Sequence, residues 1–342
     1  MSKHYTSRER RQKNLKYAAV ILAAILLVSS GLLLVRIWEN YQSRLTEFGS
    51  ETVSSNLEYK GNEYELKEDI ETVLIPTNDR FSVCVSTQIG CAQNCAFCRT
   101  AKMGFIRNLE AGEILEEIIR VNWYLEETGT KHSDGSLAKV TNIIFMGMGE
   151  PLNNLEQVHR VCCTLHHQKL FNLGRKRMTI STSGVVPKIK ELVDRNTPCC
   201  LAVSLNSTND ERRSAVMPVN KVWNIAKLLE ATDEYTKRTG NYVTFEFVLM
   251  KGITCSEEAA KELIRICAPR RCKVNAIVLN DGDDPTLEAP SLEEIDHFLE
   301  IVRKAEVQIT IRNPRGRDIL AACGQLAYNT QQGKTNADTE LT

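Results

Sequence analysis

The sequence predicts an α/β fold in which a partial (β/α) barrel carries the functional site. After residue 80, seven short runs of apolar and β-branched residues alternate with amphipathic stretches at helical spacing. Such alternation is typical of a parallel sheet whose strands are joined by crossover helices. Six or seven units favour a barrel or partial barrel over a small doubly wound sheet, and barrel enzymes carry their chemistry on the loops after the strands.

The boundaries of the elements follow from the same pattern. Strands are predicted at 81–89, 140–146, 177–181, 201–205, 242–250, 273–279 and 307–311. Helices are predicted at 111–128, 154–171, 186–195, 223–238, 256–268 and 291–305. Shorter strand-and-turn patterns predict a small β extension at 57–80 in front of a core at 81–328, and the polar residues 329–342 predict a disordered tail.

The composition excludes several classes of protein. The chain has 342 residues, of which 42 % are hydrophobic and 25 % charged, so it is globular rather than intrinsically disordered. It is formally neutral, with 43 basic and 43 acidic residues, which excludes a histone-like protein but not a local basic patch. This length fits one large α/β domain plus an extra segment.

An uncharged run near the amino terminus predicts a membrane span. Residues 17–35 contain no charged side chain, and Arg36 and Trp38 follow at the expected interface. As a helix the run is about 28 Å long, close to the thickness of a bilayer core. We therefore expect a single-pass transmembrane helix at 17–38, with a cleaved signal peptide and a buried core helix as the alternatives.

The charges around the span bear on its orientation. A basic tail at 1–16 precedes it and a polar linker at 39–56 follows it, which by the charge rule predicts a cytoplasmic amino terminus and an exported domain. The chemistry inferred below depends on cytosolic cofactors, so we expect a catalytic domain that is anchored to the membrane and faces the cytoplasm. If translation starts after the span, the protein is cytoplasmic.

Three of the 12 cysteines form the most informative motif. Cys91, Cys95 and Cys98 follow the first predicted strand of the core, with three and then two residues between them. Three thiolates at this spacing can hold three irons of a four-iron cluster and leave the fourth iron open. The open iron can bind the amino and carboxylate groups of S-adenosylmethionine (SAM), a cofactor of radical chemistry. A zinc site, which usually has four ligands, and a group of structural thiols are the alternatives.

Several motifs along the chain extend this interpretation. They are IETVLIP, CVSTQIGCAQNCAFCRTAKMGF, NIIFMGMGEPLNN, TISTSGVVP, AVSLNSTNDERRSAVMPVN and RGRDILAACGQLA. With these motifs, residues 57–328 resemble the RlmN/Cfr family of radical-SAM enzymes, which methylate an adenine carbon in ribosomal RNA and, for some members, in transfer RNA. The resemblance implies a radical-SAM partial (β/α)6 barrel, and it favours C2 of adenine over C8 as the target.

The resemblance also implies roles for individual residues. The three cysteines of the motif match the ligands of one [4Fe-4S] cluster. Seven residues match SAM contacts: Gly149, Glu150, Ser181, Ser204, Leu205, Asn206 and Asn280. Cys323 matches the cysteine that accepts a methyl group, and Cys84 matches the cysteine that resolves the covalent intermediate. Glu71 matches the general base.

The mechanism that the family implies uses two SAM molecules per turnover. One methylates Cys323, the other generates the radical that links the methyl carbon to adenine, and Cys84 then forms a disulfide with Cys323 and frees the product. The implied partners are RNA, an electron donor such as flavodoxin or ferredoxin, and the membrane through residues 17–38; a monomer is expected. Basic residues near strand ends are candidate RNA contacts: Arg99, Lys102, Arg107, Arg175, Lys176, Arg177, Arg312, Arg315 and Arg317.

Two other functions stay open at this point. A radical-SAM enzyme acting on a substrate other than RNA would use the same cysteine motif, but simple hydrogen abstraction needs neither Cys84 nor Cys323. A non-catalytic iron–sulfur membrane protein would keep the three cluster ligands without cleaving SAM.

Overall fold

The computed structural model describes residues 55–57, 68–77, 79–279 and 287–312. The predicted span at 17–38, the basic tail before it and the tail at 329–342 lie outside these ranges. Within them, no helix is long and apolar enough to cross a bilayer. Four residues singled out in the sequence also lie outside them: Asn280, Arg315, Arg317 and Cys323.

An open sheet of eight strands forms the centre of the fold. In chain order the described strands are β1 (Ser55–Leu57), β2 (Glu68–Ile70), β3 (Val73–Thr77), β4 (Arg80–Cys84), β5 (Gln88–Gly90), β6 (Phe105–Asn108), β7 (Asn142–Phe145), β8 (Met178–Thr182), β9 (Cys200–Ser204), β10 (Val243–Leu249), β11 (Cys272–Val278) and β12 (Ile309–Arg312). The large sheet has the order β12-β11-β10-β9-β8-β7-β4-β3, so spatial order follows chain order. Two pairs, β1 with β2 and β5 with β6, form separate small sheets.

The direction of the strands agrees with the predicted partial barrel. All neighbours from β4 to β12 in the large sheet are parallel. The exception is β3, which pairs antiparallel with β4 and forms one edge of the sheet. The carboxyl ends of the parallel strands therefore meet at one edge of the barrel, where barrel enzymes carry their chemistry.

Helices connect consecutive parallel strands. They are α1 (Arg99–Lys102), α2 (Ala111–Glu127), α3 (Leu155–His166), α4 (Val186–Asp194), α5 (Asp210–Val216), α6 (Ile225–Thr239), α7 (Glu257–Cys267) and α8 (Leu292–Lys304). Their buried residues recur at helical spacing, as Ile114, Ile118, Val121 and Leu125 do in α2. This apolar stripe packs on the sheet as part of one continuous hydrophobic core.

Local signals explain where several helices begin and end. Ser256 caps α7 by accepting a hydrogen bond from the backbone of Ala259, and Ser291 forms a capping box with Glu294 at the start of α8. Gly240 ends α6 in the left-handed conformation, with φ of +71°.

Two predicted boundaries are wrong. The run at 81–89 is not one strand, because β4 ends at Cys84 and residues 88–90 pair with β6 in a separate hairpin. The helix predicted at 154–171 ends at His166, and Asn172 then adopts a left-handed conformation in the following turn.

Candidate active site

The loop that carries the cysteine motif is tied to two other parts of the fold. We call residues 91–98 the cysteine loop; it follows β5 and leads into α1. The Cys91 amide donates a hydrogen bond to the Gly104 carbonyl (2.8 Å), which fixes the loop to the neighbouring hairpin. The Ala96 amide donates to the Val216 carbonyl (2.9 Å) at the end of α5. Both ends of the loop are thus held by backbone hydrogen bonds to distant residues.

Gly90, at the start of the loop, cannot carry a side chain in this arrangement. Its φ is +70°, and a Cβ atom built there would lie 1.8 Å from the Gly104 carbonyl oxygen. Only glycine allows the backbone to approach that closely with a positive φ. The glycine before the first cysteine is therefore required by the geometry of the hairpin.

The Glu150 carboxylate is buried at the end of β7 and joins two strand ends. It is 3 % exposed, and its Oε1 accepts a hydrogen bond from the Leu152 amide (3.0 Å). Its Oε2 accepts hydrogen bonds from the amide (2.7 Å) and hydroxyl (2.8 Å) of Ser183, after β8. Burial raises the pKa of Glu150, and these hydrogen bonds oppose that rise. Three of about four acceptor positions of the carboxylate are thus used within the protein.

The glycine before Glu150 is packed against the hairpin. Gly149 has φ of +97°, and an added Cβ atom would lie 2.5 Å from the Cβ of Gln88. The Gln88 Oε1 also accepts a hydrogen bond from the Glu150 amide (2.8 Å). The Gln88 side chain therefore holds the strand end of β7 beside the hairpin that leads into the cysteine loop.

The side chain of Asn206, after β9, links two other segments of the chain through hydrogen bonds. It adopts φ of +49° and is 2 % exposed. Its Oδ1 accepts a hydrogen bond from the Val248 amide (3.0 Å), and its Nδ2 donates to Met217 Sδ (3.4 Å). The amides of Leu205 and Asn206 both donate to the Glu246 carbonyl. The side-chain amide of Asn206 is thus used to join strand β10 to the segment after α5.

The structure brings six of the seven predicted SAM contacts to the carboxyl ends of three adjacent strands. Gly149 and Glu150 follow β7, Ser181 lies near the end of β8, and Ser204, Leu205 and Asn206 lie at the end of β9. Ser181 and Ser204 are half-buried, so their hydroxyl groups are not sealed in the core. The seventh, Asn280, follows β11 and lies outside the described residues.

Comparisons with known proteins agree with this geometry. The model of the Radical SAM superfamily matches residues 85–264. A dual-specificity RNA methyltransferase RlmN from Marinomonas sp. (strain MWYL1) is 40 % identical over 287 residues, covering 81 % of this chain and 76 % of that protein. A dual-specificity RNA methyltransferase RlmN 2 from Myxococcus xanthus (strain DK1622) is 41 % identical over 273 residues, covering 80 % and 70 %. The chain belongs to the RlmN family of the radical SAM superfamily.

A solved structure extends the comparison to three dimensions. The crystal structure of a radical SAM methyltransferase from Sphaerobacter thermophilus matches with a TM-score of 0.73 and 36 % identity, covering 88 % of this chain and 86 % of that one. Membership of the RlmN family implies one [4Fe-4S] cluster and SAM as cofactors.

The thiols of the cysteine loop fit such a cluster. Burial raises the pKa of Cys91 to about 11 and raises that of Cys95 still further. The nearby Cys98 and Glu150 act in the same direction, whereas the charge of Arg213 lowers the pKa of Cys95. Binding of iron would require the thiols of the loop to lose their protons.

The positions of the ligating side chains favour a cluster over a single metal ion. Within the described ranges, no three His, Cys, Asp or Glu side chains converge closely enough to hold a single metal ion. A cube-shaped cluster does not require such convergence, because each thiolate binds a different iron. The three soft thiolate donors of the loop match the ligands that iron–sulfur clusters use.

Two residues with implied catalytic roles in the RlmN family lie near each other in the fold. Cys84 is the last residue of β4 and is buried, and it pairs in register with Val73 on β3. Glu71, half-buried, lies just before β3, and its carbonyl accepts a hydrogen bond from the Ser86 hydroxyl (2.7 Å). No disulfide joins cysteines within the described ranges. The predicted pair of Cys84 with Cys323 involves a residue outside those ranges.

The candidate RNA contacts divide between two faces of the protein. Residues 175–177 precede β8 and lie at the amino-terminal edge of the sheet, opposite to the cysteine loop. Arg99 and Lys102 lie on α1, directly after the loop. Arg107 forms a two-pronged ion pair with Glu113, both contacts 2.9 Å, so its charge is partly neutralised.

Glu246 is a residue of the barrel that the sequence analysis missed. It lies in β10, is 6 % exposed, and its Oε2 accepts a hydrogen bond from Asn275 Nδ2 (2.8 Å). Burial raises the pKa of Glu246 to about 7, and both the Asn275 hydrogen bond and the charge of Arg312 oppose the rise. A lone carboxylate in the apolar run VTFEFVL was the signal that could have identified it.

Replacing Glu246 with glutamine is expected to remove a pH-dependent loss of stability. The pKa of Glu246 is raised in the folded state, so its contribution is fully present below about pH 4.5 and is lost as the pH rises through about 7. Relative to Glu246→Gln, the wild type should therefore lose stability, on the order of 3 kcal/mol, between about pH 5 and about pH 8. Denaturant titrations at both pH values measure this difference.

The exposed Glu258, on α7, provides the matched control. Glu258→Gln is expected to follow the wild-type pH profile. Equal profiles for Glu246→Gln and the wild type would show that the Glu246 carboxyl is not perturbed by burial.

Proposed function

We propose that this chain is a radical-SAM methyltransferase that methylates a ring carbon of adenine, C2 rather than C8, in ribosomal and transfer RNA. Support comes from relatives near 40 % identity that are named dual-specificity RNA methyltransferases. The observation that carries the proposal is that Cys84 is buried at the end of β4, one strand before the β5 strand that leads into the cysteine loop. A resolving thiol has a use only where a covalent intermediate on a second cysteine must be broken.

In this proposal the residues around the loop bind and orient SAM. Cys91, Cys95 and Cys98 would hold the cluster, which would supply the electron that cleaves SAM. The residues at the ends of the next strands form the SAM site: Gly149, Glu150, Ser181, Ser204, Leu205, Asn206 and Asn280. The Glu150 carboxylate, held by its hydrogen bonds from Leu152 and Ser183, is the group that contacts the SAM amino group.

Two cysteines and one carboxylate carry out the transfer of the methyl group to adenine. Cys323 takes the methyl group on its sulfur, and one hydrogen atom of that methyl group passes to the 5′-deoxyadenosyl radical formed from the second SAM. The remaining methylene carbon becomes bonded to the adenine carbon, and the oxidised cluster would take up the one electron that this adduct must lose. Glu71 removes the proton from that ring carbon. The Cys84 thiolate attacks the Cys323 sulfur, so that a disulfide forms, the sulfur–methylene bond breaks and its electron pair goes to the methylene carbon, which takes up a proton. A reductant must then restore both thiols.

Mass spectrometry of the Cys323 peptide after anaerobic expression tests this mechanism. We expect methylated Cys323 in the wild type, and an RNA adduct on Cys323 in Cys84→Ala, because the resolving thiol is missing. Sequencing the trapped RNA would identify the modified nucleotide.

The control for this experiment is Cys163→Ala, because Cys163 is exposed on α3 and outside the site. It is expected to behave as the wild type. Unmodified Cys323 in all three proteins, with the cluster present and SAM cleaved, would contradict the proposal and indicate a different radical reaction.

We further propose that residues 17–38 anchor the protein to a membrane, with its catalytic domain in the cytoplasm and a flavodoxin or ferredoxin as electron donor. The support is the uncharged run at 17–35 followed by Arg36 and Trp38. Alkaline carbonate extraction is expected to leave the full-length chain in the membrane fraction and to release a chain that starts at residue 39. Release of both would contradict the anchor.

A further inference from the structure

Arg213, in α5, is a fully buried arginine in the neighbourhood of the cysteine loop. Its Nη2 donates hydrogen bonds to the carbonyls of Ser183 (2.7 Å) and Ser204 (2.9 Å). Its Nε donates to the Leu205 carbonyl (2.8 Å), and its Nη1 donates to Asn220 Oδ1 (2.9 Å). The guanidinium group thus connects the ends of β8 and β9, where the proposed SAM contacts lie.

None of these four acceptors carries a negative charge. No carboxylate in the described parts of the chain forms an ion pair with Arg213. The charge of Asp210 acts on Arg213 without forming an ion pair with it, and Asp210 Oδ1 accepts hydrogen bonds from Asn220 Nδ2 and from the Ile225 amide. A buried charge of this kind is costly unless something compensates for it.

The charge on Arg213 persists at neutral pH. Burial lowers the pKa of Arg213 only to about 10, so the group remains cationic near pH 7.

The loop and the end of α5 also pack against each other. Val216, Met217 and Val219, at the end of α5 and just after it, pack against Cys95, Ala96 and Phe97. With the hydrogen bond from Ala96 to Val216, this packing fixes the position of the charge relative to the thiols.

The positive charge of Arg213 opposes the negative charge of a cluster held by the cysteine loop. A cluster held by three thiolates is anionic, and one-electron reduction adds a further negative charge. The potential of an iron–sulfur cluster depends on nearby charge and on solvent exposure. A buried cation that no carboxylate neutralises acts strongly in a region of low dielectric constant.

We propose that Arg213 is a positioning residue whose buried charge favours reduction of the cluster and whose hydrogen bonds hold the two strand ends in the shape that binds SAM. This inference rests on the cluster-binding role of the cysteine loop and not on the RNA substrate. It can therefore fail or hold independently of the proposed methylation.

Redox titration of the anaerobically reconstituted full-length protein, monitored by electron paramagnetic resonance, tests the charge. At a fixed ambient potential, Arg213→Gln is expected to lower the ratio of reduced to oxidised cluster about tenfold, which is about 59 mV for one electron. Arg213→Lys should stay close to the wild-type ratio, because it keeps the charge.

Equilibrium dialysis of SAM against the oxidised protein tests the hydrogen bonds. Arg213→Lys is expected to bind SAM about tenfold more weakly, because a lysine cannot donate to several strand ends at once in the fixed fork of a guanidinium. If Arg213→Lys bound SAM with wild-type affinity, the proposal that the hydrogen bonds of Arg213 shape the SAM site would be overturned.

Arg212→Gln is the matched control, since Arg212 is the adjacent residue but pairs with Glu262 on α7. It should leave both measurements unchanged. The charge effect is overturned if Arg213→Gln titrates as the wild type, or if Arg213→Lys shifts as far as Arg213→Gln. If Arg213→Gln does not assemble, the titration of Arg213→Lys decides, because a tenfold change there would contradict the proposal.

Discussion

Replacing Cys95 with alanine is expected to abolish cluster binding and all cleavage of SAM. Cys95 occupies the middle of the cysteine loop and packs against the segment after α5. With two thiolates left, one iron of the cluster would lose its protein ligand. Iron per chain and 5′-deoxyadenosine production are both expected to fall to background.

The control for Cys95→Ala is Cys163→Ala, which removes an exposed thiol remote from the loop. It should retain full iron content and full SAM cleavage. A Cys95→Ala protein that kept both would show that the ligand set of the cluster has been assigned incorrectly.

Replacing Gly90 with alanine is expected to destabilise the protein by on the order of 3 kcal/mol or more and to prevent cluster binding. The new Cβ atom would lie 1.8 Å from the Gly104 carbonyl oxygen, and that oxygen accepts the hydrogen bond from Cys91. The hairpin would have to open, and the first cysteine would lose its anchor. Denaturant unfolding measures the stability, and iron content after reconstitution measures the effect on the loop.

Gly104→Ala separates the steric clash from the cost of the backbone conformation. Gly104 has nearly the same φ, +71°, but an added Cβ atom there has no neighbour within 4 Å. Its replacement is expected to cost about 1 kcal/mol, the penalty for a positive φ alone, and to leave iron binding intact. Equal effects at both positions would show that the close approach at Gly90 is not the cause.

The alternating pattern of the sequence predicted the core strands and the major helices because both are decided by local periodicity. Local periodicity could not show that the run at 81–89 forms two separate strands, because the break between them depends on contacts with distant residues. After β4 ends, the Ser86 amide donates to the Glu117 carboxylate of α2, and the Thr87 amide donates to the Met148 carbonyl. These contacts draw the chain away from the sheet, and nothing in the local sequence encodes them.

The site was predicted in part for the same reason. The spacing of the cysteines singled out Cys91, and the resemblance to the RlmN/Cfr family singled out Glu150. Arg213 was missed because the segment DERRSAV has the composition of an exposed helix. Its burial depends on carbonyl groups from two strand ends, which only the assembled fold brings together.

The agreement between spatial order and chain order has a consequence for how the protein forms during synthesis. Each parallel strand from β8 onward pairs with the strand made just before it, so the sheet can grow at one edge as the ribosome adds residues. The cysteine loop belongs to the first part to be completed. The segment that contains Cys323 is made after β12, when the strand ends around the loop have already been built.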